Sequence, residues 1–254
     1  MPQPNRPAPD HPRESGGPGR EIAERIAALA WAKAAAALDE RGYAVLPGLL
    51  AAPECLALAA IYPEEEPFRS RIVMQRHAFG QGEYKYLRYP LPPVVAALRA
   101  ALYPRLAPVA NRWHERLGET RRFPEALEVW LAECHAAGQT RPTPLLLHYQ
   151  AGDYNCLHRD LYGALVFPLQ ATLLLNVPET DFAGGEFVLV ETRPRAQSKA
   201  EVVPLRQGDG VVFAVNHRPA QGRRGWHRLA LRHGVSPIRR GRRTTLGIIF
   251  HDAA

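Results

Sequence analysis

Apolar residues recur at helical spacing through roughly the first half of the chain and gather in short, turn-bounded runs through the second. From Glu21 to about Glu40 the period is helical, and Gly42 supplies a stop. Tyr43-Ala44-Val45-Leu46 then reads as a short strand before Pro47-Gly48. Pro53 and Glu54 open another helix that runs to Ile61, with the proline in the first turn, where it is tolerated. Arg71 to Val73 reads as a strand and Gly80-Gln81-Gly82 as a turn. Pro92–Leu102, Leu106–Leu117 and Glu125–Ala137 read as three further helices.

The character changes at Gln139-Thr140-Arg141-Pro142-Thr143-Pro144. Beyond it the pattern predicts strands at Leu145–Tyr149, Leu169–Asn176, Glu186–Glu191, Glu201–Pro204, Gly210–Ala214, Arg228–His233 and Thr245–His251. Gly152-Asp153, Gly184-Gly185 and Gly208-Asp209-Gly210 are turn signals between them. Short strands at this spacing fit a sandwich or barrel of jelly-roll type. The expected class is therefore α+β, with a Pro/Gly-rich disordered tail (1–20), a mostly helical support region (21–140) and a jelly-roll core (141–254).

Composition adds limits. Hydrophobic residues make up 46% and charged residues 22% of 254 positions, enough to bury a sizeable core. No stretch approaches the roughly 20 apolar residues that span a bilayer, and the first twenty residues lack the apolar centre of a signal peptide. These observations lead to the expectation of a cytoplasmic protein that does not enter membranes. Cys55, Cys134 and Cys156 are odd in number and widely spaced, and are expected to be buried free thiols rather than a disulfide framework. The net charge is +7, and Arg218 to Arg243 carries nine arginines with no acidic residue. Such a stretch attracts nucleic-acid phosphates or acidic substrates, or else is a solvated basic face.

The chemistry concentrates around Leu157-His158-Arg159-Asp160. In extended chain the side period is two, so His158 and Asp160 point to the same side and supply an imidazole and a carboxylate, two members of a 2-His-1-carboxylate metal face. An isolated HxD is common, and a surface histidine beside a turn aspartate is its ordinary explanation. A third ligand would come from a distant strand. His233 precedes a turn, and Arg243 follows ten positions later on the returning strand, a spacing that can place a guanidinium in the same cavity. Arginine suits carboxylate recognition because its planar fork pairs bidentately and stays charged. His217, His227 and His251 compete with His233; only His233 has Arg243 at this distance.

The HxD, the distal His and the arginine followed by x-Thr resemble the 2-oxoglutarate/iron(II) oxygenase superfamily in its prolyl-hydroxylase-like branch. Gly184-Gly185-Glu186-Phe187 is similar to that superfamily's GGE strand and Gly208-Asp209 to its GD turn. Gly42–Gly48, Gly82–Tyr86, Gly152–His158 and Thr245–Asp252 resemble, more narrowly, a bacterial family proposed to demethylate damaged DNA oxidatively. The resemblance implies a double-stranded β-helix core, with iron(II) on His158, Asp160 and His233. It also implies 2-oxoglutarate as cosubstrate, its distal carboxylate on Arg243 with Thr245 and Tyr149 nearby, dioxygen as oxidant and ascorbate as a supporting reductant. No catalytic side chain is expected beyond the metal ligands.

Three functions follow as expectations. One is oxidative demethylation or hydroxylation of a damaged nucleobase, with Tyr84, Tyr86, Tyr154, Tyr162 and Trp226 as candidate stacking platforms. Each of these is, by default, an ordinary packing residue. Another is hydroxylation of a protein side chain or small molecule by the same chemistry, with Gly80–Tyr89 as a substrate-facing loop. The last is a metal-binding jelly roll without catalysis, which gives Arg243 no purpose.

Overall fold

The computed structural model describes residues 18–161, 163–193 and 197–254. Residues 1–17 of the expected tail and Tyr162 lie outside the described residues; Pro18 to Arg20 are helical rather than part of a tail. Among the described residues, five α-helices precede most of the strands: α1 Pro18–Ala27, α2 Trp31–Arg41, α3 Ala52–Ala60, α4 Pro93–Arg116 and α5 Leu127–Ala136. The strands are β1 Tyr43–Leu46, β2 Phe68–Val73, β3 Gly80–Gln81, β4 Glu83–Leu87, β5 Leu145–Gln150, β6 Tyr154–His158, β7 Leu169–Leu174, β8 Phe182–Gly184, β9 Phe187–Thr192, β10 Lys199–Val203, β11 Gly210–Ala214, β12 His217–Gly222, β13 Gly225–Val235 and β14 Ile238–Ile249.

Two antiparallel sheets face each other, as the jelly-roll pattern implied. The larger runs β1-β11-β7-β14-β5-β4-β2 and the smaller β10-β9-β13-β6-β3. Inner-face residues of the two sheets, among them Phe187, Leu189, Val211 and Phe213, form the apolar contact between them. The outer face of the larger sheet packs on the helices through a second core that includes Leu38, Leu98, Leu102, Trp113, Leu169 and Leu173. Residues 21–140 are not purely a helical brace: β1 pairs with β11, β4 with β5 and β3 with β6, so this region extends both sheets.

Three local expectations are corrected. The helix expected over Glu21–Glu40 breaks at residues 28–30, where the Trp31 indole N–H donates to the Ile26 carbonyl (2.7 Å) and closes α1. The two helices expected on either side of Pro104 are one, α4, with Pro104 and Pro108 inside it. An internal proline frees the carbonyl four residues earlier. Ala100, Pro104 and Pro108 all lie on the exposed face, where water can take the freed carbonyls, while Leu98, Leu102, Leu106 and Trp113 stay buried. Finally, Gly80 and Gln81 are a two-residue strand against β6 rather than a free turn.

Arg99 of α4 anchors this helix to the end of β14. It is buried, its Nη2 pairs with buried Asp252 (2.8 Å), and its Nε donates to the Ile249 carbonyl (3.0 Å). That tie matters because β14 carries the residues at the bottom of the cavity described next.

Candidate metal and carboxylate site

β6 and β13 pair antiparallel, and their register sets His158 opposite His233. Close approach of the strands depends on Gly234: a Cβ there would come within 2.7 Å of the Asn155 carbonyl oxygen. His158 ends β6, and Asp160 follows just beyond the strand. His158 Nε2 stands 3.4 Å from Asp160 Oδ1, and His233 Nε2 stands 3.2 Å from Asp160 Oδ2. Among the described residues these three form the one cluster of His, Cys, Asp and Glu with ligand atoms mutually within 4.8 Å.

The tautomer of His158 follows from its partner. Its Nδ1 lies 2.8 Å from the Cys156 carbonyl; a carbonyl can only accept, so Nδ1 carries the proton and Nε2 presents its lone pair to the cluster. His233 is buried, with its ring against Phe213 (4.6 Å between centroids) and Phe187 (6.1 Å). Burial lowers its pKa, against the pull of Asp160, which favours the neutral, ligating form. Burial alone would raise the Asp160 pKa, but hydrogen bonds and charge from His158 and His233 hold it well below the ordinary carboxylate range. His158 is shifted upward: Asp160 and the Cys156 carbonyl outweigh its burial. Two imidazoles and an ionised carboxylate converging from one side suit a divalent transition metal.

The cavity beside this cluster has a volume of about 220 Å³. Phe79 (46% exposed) and Leu161 (52%) stand with exposed Arg159 at its mouth, and Tyr84 lines its wall. Its other end is formed by β14 and β5, where Arg243 is the register partner of Tyr149, and Thr245 that of Leu147. All four line the cavity.

Arg243 is 2% exposed, and its Nε and Nη1 are buried with no hydrogen-bond partner among the described residues. It lies near the rings of Tyr149 (5.8 Å) and Phe182 (5.9 Å). Burial lowers its pKa to about 10, which leaves it charged at neutral pH. A buried cation without an anion is costly, so this end of the cavity is matched to a carboxylate. Space for the guanidinium depends on Gly185: at φ +64°, its Cβ would meet Ile238 Cδ1 at 2.2 Å and Arg243 Cδ at 2.8 Å. Glu186 acts on the arginine by charge at a distance; its own contacts are the Ser236 hydroxyl and Arg239, 3.5 Å away.

The other sequence candidates are distributed as follows. His227 is exposed on β13, His217 lies 3.7 Å from Glu119, and buried His251 accepts from the Phe167 N–H (3.2 Å); none joins the cluster. Cys55 and Cys134 are buried free thiols, but Cys156 is exposed on β6, which only the two-residue β3 separates from the sheet edge. The Arg218–Arg243 stretch is not a single basic face. Arg218 pairs with Glu191, Arg228 with Glu119 and Arg240 with Glu179, while Arg243 points into the fold. Tyr86 is buried, Tyr154 is half-buried, and Trp226 is 41% exposed under the Arg116 guanidinium (4.5 Å).

One contact escaped sequence reasoning. Gln170 of β7 donates from Nε2 to Asp160 Oδ2 at 2.7 Å. Its only signal was a lone amide in the apolar run Leu169–Leu175.

Comparison with known proteins accords with this geometry. A family model described as "Oxygenase, catalysing oxidative methylation of damaged DNA" matches residues 82–253. A Mycobacterium tuberculosis protein, the uncharacterized protein Rv2227, is 54% identical over 165 residues, covering 65% of this chain and 71% of that one. Among solved structures, a Pseudomonas putida prolyl-4-hydroxylase aligns with a TM-score of 0.51 at 15% identity, over 88% of this chain and 99% of that one. A prolyl 4-hydroxylase from Phytophthora capsici aligns at 0.52 and 17%, over 91% and 64%. A Burkholderia pseudomallei oxidoreductase of the 2OG-Fe(II) oxygenase family aligns at 0.50 and 18%, over 88% and 93%. At these identities the likeness to the solved structures is one of fold.

Proposed function

The chain belongs to this oxygenase family and has the double-stranded β-helix fold of 2-oxoglutarate/iron(II) oxygenases; from that premise we propose that His158, Asp160 and His233 hold iron(II), and that Arg243 holds the distal carboxylate of 2-oxoglutarate. The observation that carries this reading is the pairing, in one cavity, of the ligand cluster with a buried guanidinium of which two nitrogens have no partner among the described residues. A purely structural metal would leave that guanidinium without a purpose.

When bound, iron(II) and 2-oxoglutarate supply dioxygen activation and the cleavage of an unactivated C–H bond: one oxygen atom enters the substrate, and 2-oxoglutarate leaves as succinate and carbon dioxide. The chain's own residues position and shield. The His158 Nδ1–H on the Cys156 carbonyl keeps Nε2 directed inward. Arg243 anchors the cosubstrate by a charge-assisted pair, with the Thr245 hydroxyl and the Tyr149 ring beside it. Phe187 and Phe213 keep water from the inner side of His233.

For the substrate, the family description supports a methylated base in damaged nucleic acid. Hydroxylation of an N-methyl carbon gives a carbinolamine, which releases formaldehyde and the bare amine. Arg159 at the mouth offers a cation to a phosphate, and Tyr84 a ring to a base. The fold likeness to two prolyl hydroxylases supports hydroxylation of a protein side chain as the second reading. The test supplies iron(II), ascorbate, oxygen and 2-oxoglutarate, and measures succinate with and without methylated single-stranded oligonucleotides. Succinate stimulated by the oligonucleotide, with formaldehyde in equal amount, supports the nucleic-acid reading. Basal succinate that no oligonucleotide raises directs the search to protein substrates.

A further inference from the structure

We propose that Gln170 is a positioning residue that fixes the Asp160 carboxylate for the metal; the inference rests on the ligand assignment proposed above. β7 lies in the middle of the larger sheet, between β11 and β14, and is buried along its whole length. Gln170 projects from it into the cavity and is 4% exposed. Its Nε2 donates to Asp160 Oδ2 at 2.7 Å and stands 3.3 Å from His233 Nε2, so one amide nitrogen touches two of the three proposed ligands.

The amide cannot be reversed without setting its carbonyl against a carboxylate, so the contact with Asp160 dictates its orientation. That orientation leaves Gln170 Oε1 buried with no hydrogen-bond partner among the described residues. A half-satisfied buried amide is a poor choice for stability: an apolar side chain of the same size would bury as much surface and leave no orphan oxygen. The residue is therefore explained by what its N–H groups do rather than by packing.

What they do follows from where Asp160 sits. His158 and His233 stand on paired strands, and their backbone is fixed by the β6–β13 ladder. Asp160 lies past the end of β6, in a segment without regular structure, outside the β6–β13 ladder. Gln170 reaches across from a rigid central strand and holds one carboxylate oxygen where both imidazoles meet it. Partners of metal ligands in such positions typically govern about 10–100-fold in metal affinity.

The test is Gln170→Met, which keeps the volume and removes both N–H donors. Cobalt(II), whose visible absorption reports ligand geometry, is titrated into wild type, Gln170→Met and His158→Ala, and unfolding is measured separately in the presence of chelator. The expected result is roughly 10–100-fold weaker cobalt(II) binding by Gln170→Met with an altered visible spectrum, and a chelator-state stability equal to or above wild type. Cobalt(II) affinity and spectrum both unchanged in Gln170→Met would overturn the inference and leave the ligand assignment intact. Cobalt(II) binding unaffected by His158→Ala would overturn both. If Gln170→Met fails to fold, the wild-type side-chain amide of Gln170 is followed by nitrogen-15 NMR during zinc(II) titration. Protected amide protons that shift on saturation support the role; rapidly exchanging protons that ignore zinc overturn it.

Discussion

His158 and His233 are register partners across β6 and β13, and their ring centroids lie 4.2 Å apart. The separation in sequence is long, yet the sheet makes them neighbours, and Asp160 closes the triangle by reaching both rings. The cluster is therefore a product of strand register. It should tolerate loss of one ligand without loss of the fold. In Asp160→Ala, the two strands keep their ladder while the proposed metal loses its only anionic ligand. The expected outcome is loss of turnover and a fall in metal affinity beyond the roughly 10–100-fold typical of a supporting partner, with far-ultraviolet circular dichroism unchanged. Collapse of the fold in this variant would point instead to a structural metal.

Arg243 is expected to trade stability for binding. Replacing it by Met removes a buried cation whose Nε and Nη1 have no partner among the described residues, so the thermal midpoint should rise in the absence of 2-oxoglutarate. Charged hydrogen bonds contribute about 1.5–3 kcal/mol each, so 2-oxoglutarate affinity should fall by about 10–100-fold or more. Calorimetric titration and thermal unfolding of the same protein check both directions, and a midpoint that fell together with affinity would count against the argument.

Gly185 should affect the cosubstrate without touching the metal. Its φ of +64° disfavours any side chain, and a Cβ would press on Arg243 and Ile238. Gly185→Ala should cost about 1–3 kcal/mol of stability from backbone strain. It should also weaken 2-oxoglutarate binding while metal affinity remains that of wild type. Parallel titrations with metal alone and with metal plus 2-oxoglutarate separate the two effects.

His251 introduces a pH dependence unrelated to catalysis. Burial, aided by the charge of Arg99, lowers its pKa from 6.5 to about 4, and its neutral ring accepts the Phe167 N–H. The unfolded chain takes up this proton below its pKa of about 6.5, while the folded chain resists until about 4. Stability is thus fully present above pH 6.5 and is lost as the pH falls toward 4, by at most about 1.4 kcal/mol per pH unit. Urea unfolding across this window should show that slope in wild type and a shallower one in His251→Gln, which keeps an acceptor for Phe167. Equal slopes would remove His251 as the cause.

The proposed ligand set was readable in part from spacing and as a whole only through the family resemblance. His158 and Asp160 converge through a two-residue period and Arg243 follows His233 across one turn, but an isolated HxD is common, and it is the resemblance that joins these residues into one arrangement. The glycines of Gly184-Gly185 were visible as a turn, but the room that Gly185 makes for Arg243 depends on a strand more than fifty residues away. Gln170 was hidden for the same reason: its partner lies on another segment, and an amide in an apolar run has no spacing rule. Helix limits failed where tertiary burial outweighed local signals. Pro104 read as a break between two helices, yet it and Pro108 fall on the wet face of α4, where water can take the freed carbonyls. The nine-arginine stretch looked like one basic face because charge was counted along the chain. In space Arg218, Arg228, Arg239 and Arg240 lie by Glu191, Glu119, Glu186 and Glu179 and Arg243 turns inward, while Arg223, Arg224, Arg232 and Arg242 are exposed.

The central claim is that one cavity holds iron(II) and 2-oxoglutarate together, and anaerobic binding tests it without any knowledge of the substrate. 2-Oxoglutarate is titrated into wild type with and without one equivalent of iron(II), and into His158→Ala with iron(II). The account predicts one iron and one 2-oxoglutarate per chain in wild type, with 2-oxoglutarate binding strengthened by the metal and this strengthening lost in His158→Ala. Binding of 2-oxoglutarate that is indifferent to iron(II), or an iron affinity unchanged in His158→Ala, would contradict it.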